Sequence, residues 1–152
     1  MVIRVQQENF DIGQEISALG VDTTEIGAIV TFTGTVRGSV EGRAIKQMHL
    51  EHYPGMTEAE LARVEAEATA RWPLEATLII HRYGNLLPGD NIVLVATASA
   101  HRQAAFDAAQ FIMDYLKTHA TFWKKEIGAE GDGDWVRAHE SDDRALKRWS
   151  QN

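Results

Sequence analysis

His101 and Arg102 stand where a long helix is expected to begin, a costly position because cations there face the positive end of the helix dipole. Free N–H groups, an imidazole and a guanidinium converging on one helix start would make an anion site suited to phosphate. The same pair also fits side chains that turn outward or bond a local carboxylate. Lys117 and Lys124 lie seven residues apart among Tyr115, Phe122 and Trp123. Aromatic neighbours partly desolvate an ammonium and lower its pKa, leaving an amine available for proton transfer or covalent chemistry. Two lysines snorkelling at a helix C-terminus, where positive charge suits the dipole, would look the same. Arg37 opens a glycine-rich turn, Arg37 to Arg43, after a β-branched run. Binding residues often sit at such places on rigid scaffolds, and so do solvated turn arginines.

Other chemistries find less support. His49 and His52 are three apart on one expected strand and so on opposite faces, and His81 begins a separate turn, so no metal site is expected. The chain has no GxSxG, phosphate-loop or dinucleotide fingerprint, and no cofactor is expected. It has no cysteine, which excludes a disulfide framework, a thiolate metal site and a cysteine nucleophile. Any sulfur handled here must arrive on another molecule.

The elements that must position these residues can be read from spacing. Met1 to Val5 reads as a strand, Phe10 to Leu19 as a short amphipathic helix with Asp11 near its start, and Gly27 to Val36 as a buried strand. Ala44 to Tyr53 alternates as a strand. Thr57 stands as the cap of a helix from Glu58 to Trp72, ended by Pro73. Ala76 to His81, a turn over Gly84 to Asp90, and Asn91 to Ala98 suggest a hairpin. Ser99 can cap the next helix, Ala100 to about His119, with Ala105, Ala109, Ile112, Met113 and Leu116 buried. A glycine-rich turn and a polar tail from about residue 128 follow. Strands and helices alternate without a strict βαβ period, so the class is α+β.

The 152 residues fit one domain, and no repeat or Pro/Gly-rich linker divides them. Fifteen Lys and Arg against 22 Asp and Glu give a net charge of −7, which repels nucleic acid and anionic membrane. The start lacks a basic region followed by an apolar run, and no stretch of eighteen apolar residues occurs. The expectation is a soluble, cytoplasmic protein with a local basic pocket.

Seven segments in order carry a resemblance: Phe32-Thr33-Gly34-Thr35-Val36-Arg37, Leu50-Glu51-His52-Tyr53-Pro54-Gly55-Met56, His81-Arg82-Tyr83-Gly84, Pro88-Gly89-Asp90, Ser99-Ala100-His101-Arg102, Asp114-Tyr115-Leu116-Lys117 and Phe122-Trp123-Lys124-Lys125-Glu126. Together they resemble the molybdopterin synthase catalytic subunit, the MoaE family, over nearly the whole chain. The resemblance implies an α/β hammerhead-type fold with an added antiparallel β-subdomain. It also implies a homodimer within a heterotetramer, each end binding a small ubiquitin-like sulfur-carrier subunit whose C-terminal Gly-Gly thiocarboxylate supplies sulfur to cyclic pyranopterin monophosphate. Lys117 and Lys124 would be catalytic. Arg37, His101, Arg102, Lys117, Lys124, Lys125 and Glu126 would bind substrate. Two departures stand out: Thr121 where relatives commonly have proline, and His139, with Arg137 two residues before it, where they place an arginine.

One geometric tension accompanies this assignment. His101 and Lys117 lie sixteen residues apart on one expected helix, roughly 24 Å at ~1.5 Å per residue. Gln103 to Leu116 contains neither Pro nor Gly, the usual causes of a sharp kink, so a site shared between two copies is expected. Two other readings keep parts of the same residue set. A non-enzymatic module binding a phosphorylated small molecule would need Arg37, His101 and Arg102 but not Lys117. A phosphoesterase using His101 would turn over without a sulfur donor.

Overall fold

The computed structural model describes residues 1–119, 122–128, 135–136 and 140–150, the side chains of 140 and 141 excepted. A four-stranded sheet runs in the order β1 (Val2–Gln6), β5 (Leu74–Arg82), β7 (Asn91–Ser99), β2 (Ala28–Thr35). Only β1 and β5 are parallel; β5 with β7 and β7 with β2 are antiparallel. The expected hairpin is therefore present as β5 and β7. A second sheet, order β3 (Ser39–Val40), β4 (Arg43–His52), β8 (Phe122–Gly128), β9 (Trp135–Val136), is antiparallel, and β6 (Gly84–Leu86) also pairs with β4. The fold is α+β with an antiparallel β-subdomain.

Strand alternation puts the residues of β5 and β7 on two faces, and helices cover both. On one face, α2 (Met56–Arg71) and α3 (Arg102–Thr118) bury Leu61, Val64, Phe111 and Ile112 against Ile79, Val93 and Val95. On the other, α1 (Ile12–Ala18) sets Ile12 and Ile16 over Leu78, Ile80, Leu94 and Ala96. Full burial of such side chains is worth about 1.5–3 kcal/mol each. A third cluster of Val36, Met48, Leu50 and Leu86 closes the seam where the second sheet leaves the first.

Several expected boundaries move. Asp11 does cap α1, accepting from the Gln14 amide at 3.0 Å. Thr57 does not cap α2. It lies inside the helix, fully buried, where its hydroxyl accepts from the Tyr53 amide at 3.0 Å, while Gly55 holds the cap position and its amide donates to Glu58 at 2.7 Å. Ser99 does not cap α3 either, because its hydroxyl donates to the Pro73 carbonyl at 2.7 Å and α3 begins after His101. The turn expected over Gly84 to Asp90 contains β6. The polar tail contains α4 (Glu140–Lys147), followed by Trp149, which packs on Trp72 and Phe111 and donates from its ring nitrogen to Asp114 at 2.6 Å. Thr121, Arg137 and His139 lie outside the described residues.

Candidate active site

A cavity of about 370 Å³ opens between the two sheets and the C-terminal end of α3. Four elements bring charge to it. Arg37 comes directly after β2, and the chain is held there because the Val36 amide donates to the Asp90 carbonyl at 2.9 Å and the Gly89 amide to the Val36 carbonyl at 2.8 Å. Lys117 comes from the last turn of α3, where its charge suits the helix dipole. Lys124 and Glu126 come from β8, two residues apart and hence on one face, and Asp142 comes from α4. The apolar walls include Met48 and Leu50 of β4, which pair in register with Glu126 and Lys124.

The electrostatics follow from enclosure. Burial lowers the Lys124 pKa; Glu126, with its carboxylate 3.8 Å from the amine, works against that, and the positive charges of Lys117 and Arg37 push it further down. His81 also lines the cavity, near the end of β5 rather than at the start of a separate turn. Its ring lies flat on Phe122, with centroids 3.6 Å apart and planes 16° apart. Nδ1 sits 2.8 Å from the Arg82 carbonyl. Enclosure lowers the His81 pKa from 6.5 to about 4, against the carbonyl contact that supports the charged ring, and with smaller contributions from Lys117 and His52. The imidazole is neutral at pH 7.

The residues singled out from sequence divide into two sets. Arg37, Lys117, Lys124 and Glu126 meet at this cavity. Lys125 faces the opposite side of β8, in register with His49 of β4 and Trp135 of β9. His101 and Arg102 are exposed at the far end of α3, whose seventeen residues are helical without a break. Their start is tied to β2 by the Gly27 amide, which donates to the Ser99 carbonyl at 3.0 Å, and a Cβ at Gly27 would stand 2.3 Å from the Ala100 oxygen. Of the three aromatics flanking the lysines, only Phe122 lines the cavity. Tyr115 packs on Phe111, and Trp123 is exposed beside Tyr53.

A family model described as MoaE protein matches residues 5–119. The chain belongs to the MoaE family. Lys124 and Glu126 lie beyond the matched model but within the span shared with full-length relatives of the family. A molybdopterin synthase catalytic subunit from Pseudomonas aeruginosa is 56% identical over 151 residues, covering 99% of this chain and 100% of its own. One from Mesorhizobium japonicum is 52% identical over 151 residues, covering 99% of this chain and 94% of its own. Among solved structures, a molybdopterin biosynthesis MoaE protein from Burkholderia ambifaria superposes with a TM-score of 0.84 at 48% identity, covering 99% of both chains. No helix among the described residues is long and apolar enough to cross a membrane.

Proposed function

We propose that this chain is the catalytic subunit of a molybdopterin synthase, moving sulfur from the C-terminal thiocarboxylate of a small ubiquitin-like carrier subunit to cyclic pyranopterin monophosphate. Two rounds give the dithiolene of molybdopterin. The observation that carries the reading is the convergence of Arg37, Lys117 and Lys124 on one cavity in a protein whose net charge is −7. Both reactants are anionic, through the phosphate and the carrier's C-terminus, and a cationic pocket in an acidic molecule concentrates them locally. The missing cysteine fits as well, since the sulfur comes on the partner. A cytoplasmic setting belongs to the same proposal.

The roles follow from chemistry and position. Lys117 acts as the general acid and base, and Lys124, as a cation, orients the acyl end of the carrier and stabilises negative charge that develops during transfer. Arg37 binds the phosphate and pterin together with His101 and Arg102, which reach the cavity from a second copy of the chain in a homodimer. Lys125 supports the edge of the site from the outer face of β8. Incubation of the protein with the precursor and a thiocarboxylated carrier tests the proposal. The product should gain mass by oxygen-to-sulfur exchange, twice, and a product of unchanged mass would rule the function out.

A further inference from the structure

Among the described residues, the cavity's walls carry several charged groups but few neutral hydrogen-bond acceptors. Arg37 only donates, and so do Lys117 and Lys124 while they are protonated. Of the side-chain acceptors, Glu126 lies 3.8 Å from Lys124, and Asp142, like Glu126, carries a negative charge that an anionic ligand must avoid. Thr35 offers a hydroxyl at the rim of β2. His81 differs from all of them. A carbonyl can only accept, so the Nδ1 that meets the Arg82 oxygen at 2.8 Å must carry a proton. In the neutral ring Nε2 then holds a lone pair. One ring face is covered by Phe122 and Nδ1 is tied to the main chain, so of the two nitrogens of this cavity-lining residue Nε2 is the one left to meet a ligand. Among the described residues Nε2 has no hydrogen-bond partner.

We infer that His81 is a substrate-recognition residue, its Nε2 accepting a hydrogen bond from a ring N–H of the bound pterin. The inference rests on the function proposed above and deepens it. The low pKa decides what kind of acceptor this is. A group that stays neutral down to about pH 4 is a poor place to leave a proton from a lysine, so His81 is no relay for Lys117. It accepts hydrogen bonds without adding charge. A carboxylate in its place would satisfy the same N–H and repel the phosphate; a third type of cation would hold the phosphate and leave the N–H unpaired. Leaving such a polar group unpaired on binding is what makes a site reject the wrong molecule.

Two substitutions separate recognition from a structural role. His81→Asn keeps an N–H near the position of Nδ1, able to donate to the Arg82 carbonyl, and has no atom where Nε2 was. His81→Gln places its amide near Nε2 and gives up the bond to Arg82. Binding of cyclic pyranopterin monophosphate to the carrier-free protein is followed by calorimetry for each. The expected result is a Kd raised about tenfold or more in His81→Asn and within about threefold of wild type in His81→Gln. In the full reaction the Asn variant should raise KM more than it lowers kcat. Should the Asn chain fail to fold, His81→Phe retains an aromatic face for Phe122 and lacks both nitrogens, and the same loss is expected. Equal binding by wild type and Asn, or an equal loss in Asn and Gln, would overturn the role of Nε2. A wild-type protein that fails to bind the precursor at all would overturn the proposed function and this inference with it.

Discussion

The Lys124 amine lies 3.8 Å from the Glu126 carboxylate, two residues along the same face of β8, with neither side chain fully exposed. Burial lowers the lysine's pKa and the carboxylate resists that change. Removing the negative charge must therefore lower the pKa further. If Lys124 works as a cation, activity falls as pH rises through its pKa, and Glu126→Gln should move the alkaline limb of the kcat profile to lower pH. A profile with an unmoved alkaline limb would assign that limb to another group.

Lys117 supplies a second prediction. Lys117→Ala should leave the fold intact, since the side chain is exposed at the end of α3, and should lower sulfur transfer by about 10²-fold or more. Lys117→Arg should not restore it, because a guanidinium stays protonated and cannot exchange a proton near neutrality. Single-turnover rates with preformed thiocarboxylated carrier make the comparison. Near-normal rates in either variant would remove Lys117 from the mechanism.

The partly buried His81 ties stability to pH. Its pKa falls from 6.5 to about 4 on folding, so between those values the unfolded chain binds more protons than the folded one. Stability then rises with pH across that window and is lost as pH drops from 6.5 toward 4, by about 2–3 kcal/mol once the edge open to the cavity is allowed for. Above pH 6.5 this residue contributes no pH dependence. Thermal melting between pH 4 and 7 should show the slope in wild type and a flatter line in His81→Gln. Parallel lines would mean that other groups govern acid stability.

The sequence made α2 and α3 readable because their apolar residues recur at helical spacing and Pro73 marks a stop. It hid β8, where Lys124-Lys125-Glu126 puts three charges in a row and no apolar alternation; these charges are tolerable because alternate residues face a polar cavity and the outer surface. Helix α4 was hidden for the opposite reason. Its segment is almost wholly polar, and what anchors the end of the chain is Trp149 beyond it, together with the bonds of Arg148 and Trp149 to Asp114. His81 escaped notice because a histidine at the end of an apolar strand looks like the first residue of a turn. Only the folded chain puts it against Phe122, forty-one residues later. The meeting of Arg37, Lys117 and Lys124 depends on contacts between distant strands, so motif resemblance could suggest it while local spacing could not.

The last prediction concerns the distance along α3. His101 caps one end and Lys117 occupies the last turn of the other, and the helix between them is continuous. Sixteen residues at ~1.5 Å each separate their backbones by roughly 24 Å, beyond the reach of any two side chains. The cavity holding Lys117 therefore lacks His101 of the same chain, and if both serve one reaction the imidazole must come from another copy. A two-fold dimer satisfies this, because an isologous interface brings each helix start to the partner's helix end, twice. The exposed apolar side chains of Ile29 on the edge strand β2 and of Phe106 in the first turns of α3 offer surface for such an interface, and Phe32, also exposed on β2, lines the cavity itself. His101→Ala and Lys117→Ala chains, each poorly active alone, should then regain activity when mixed and allowed to exchange subunits. Each mixed dimer would hold one site with both defects and one with neither, so its activity should reach at most about half that of wild type. Exchange can be followed by native mass spectrometry of differently tagged chains. Mixed dimers that form without recovering activity would place both residues' contributions within one chain, leaving His101 with no part in the chemistry at Lys117.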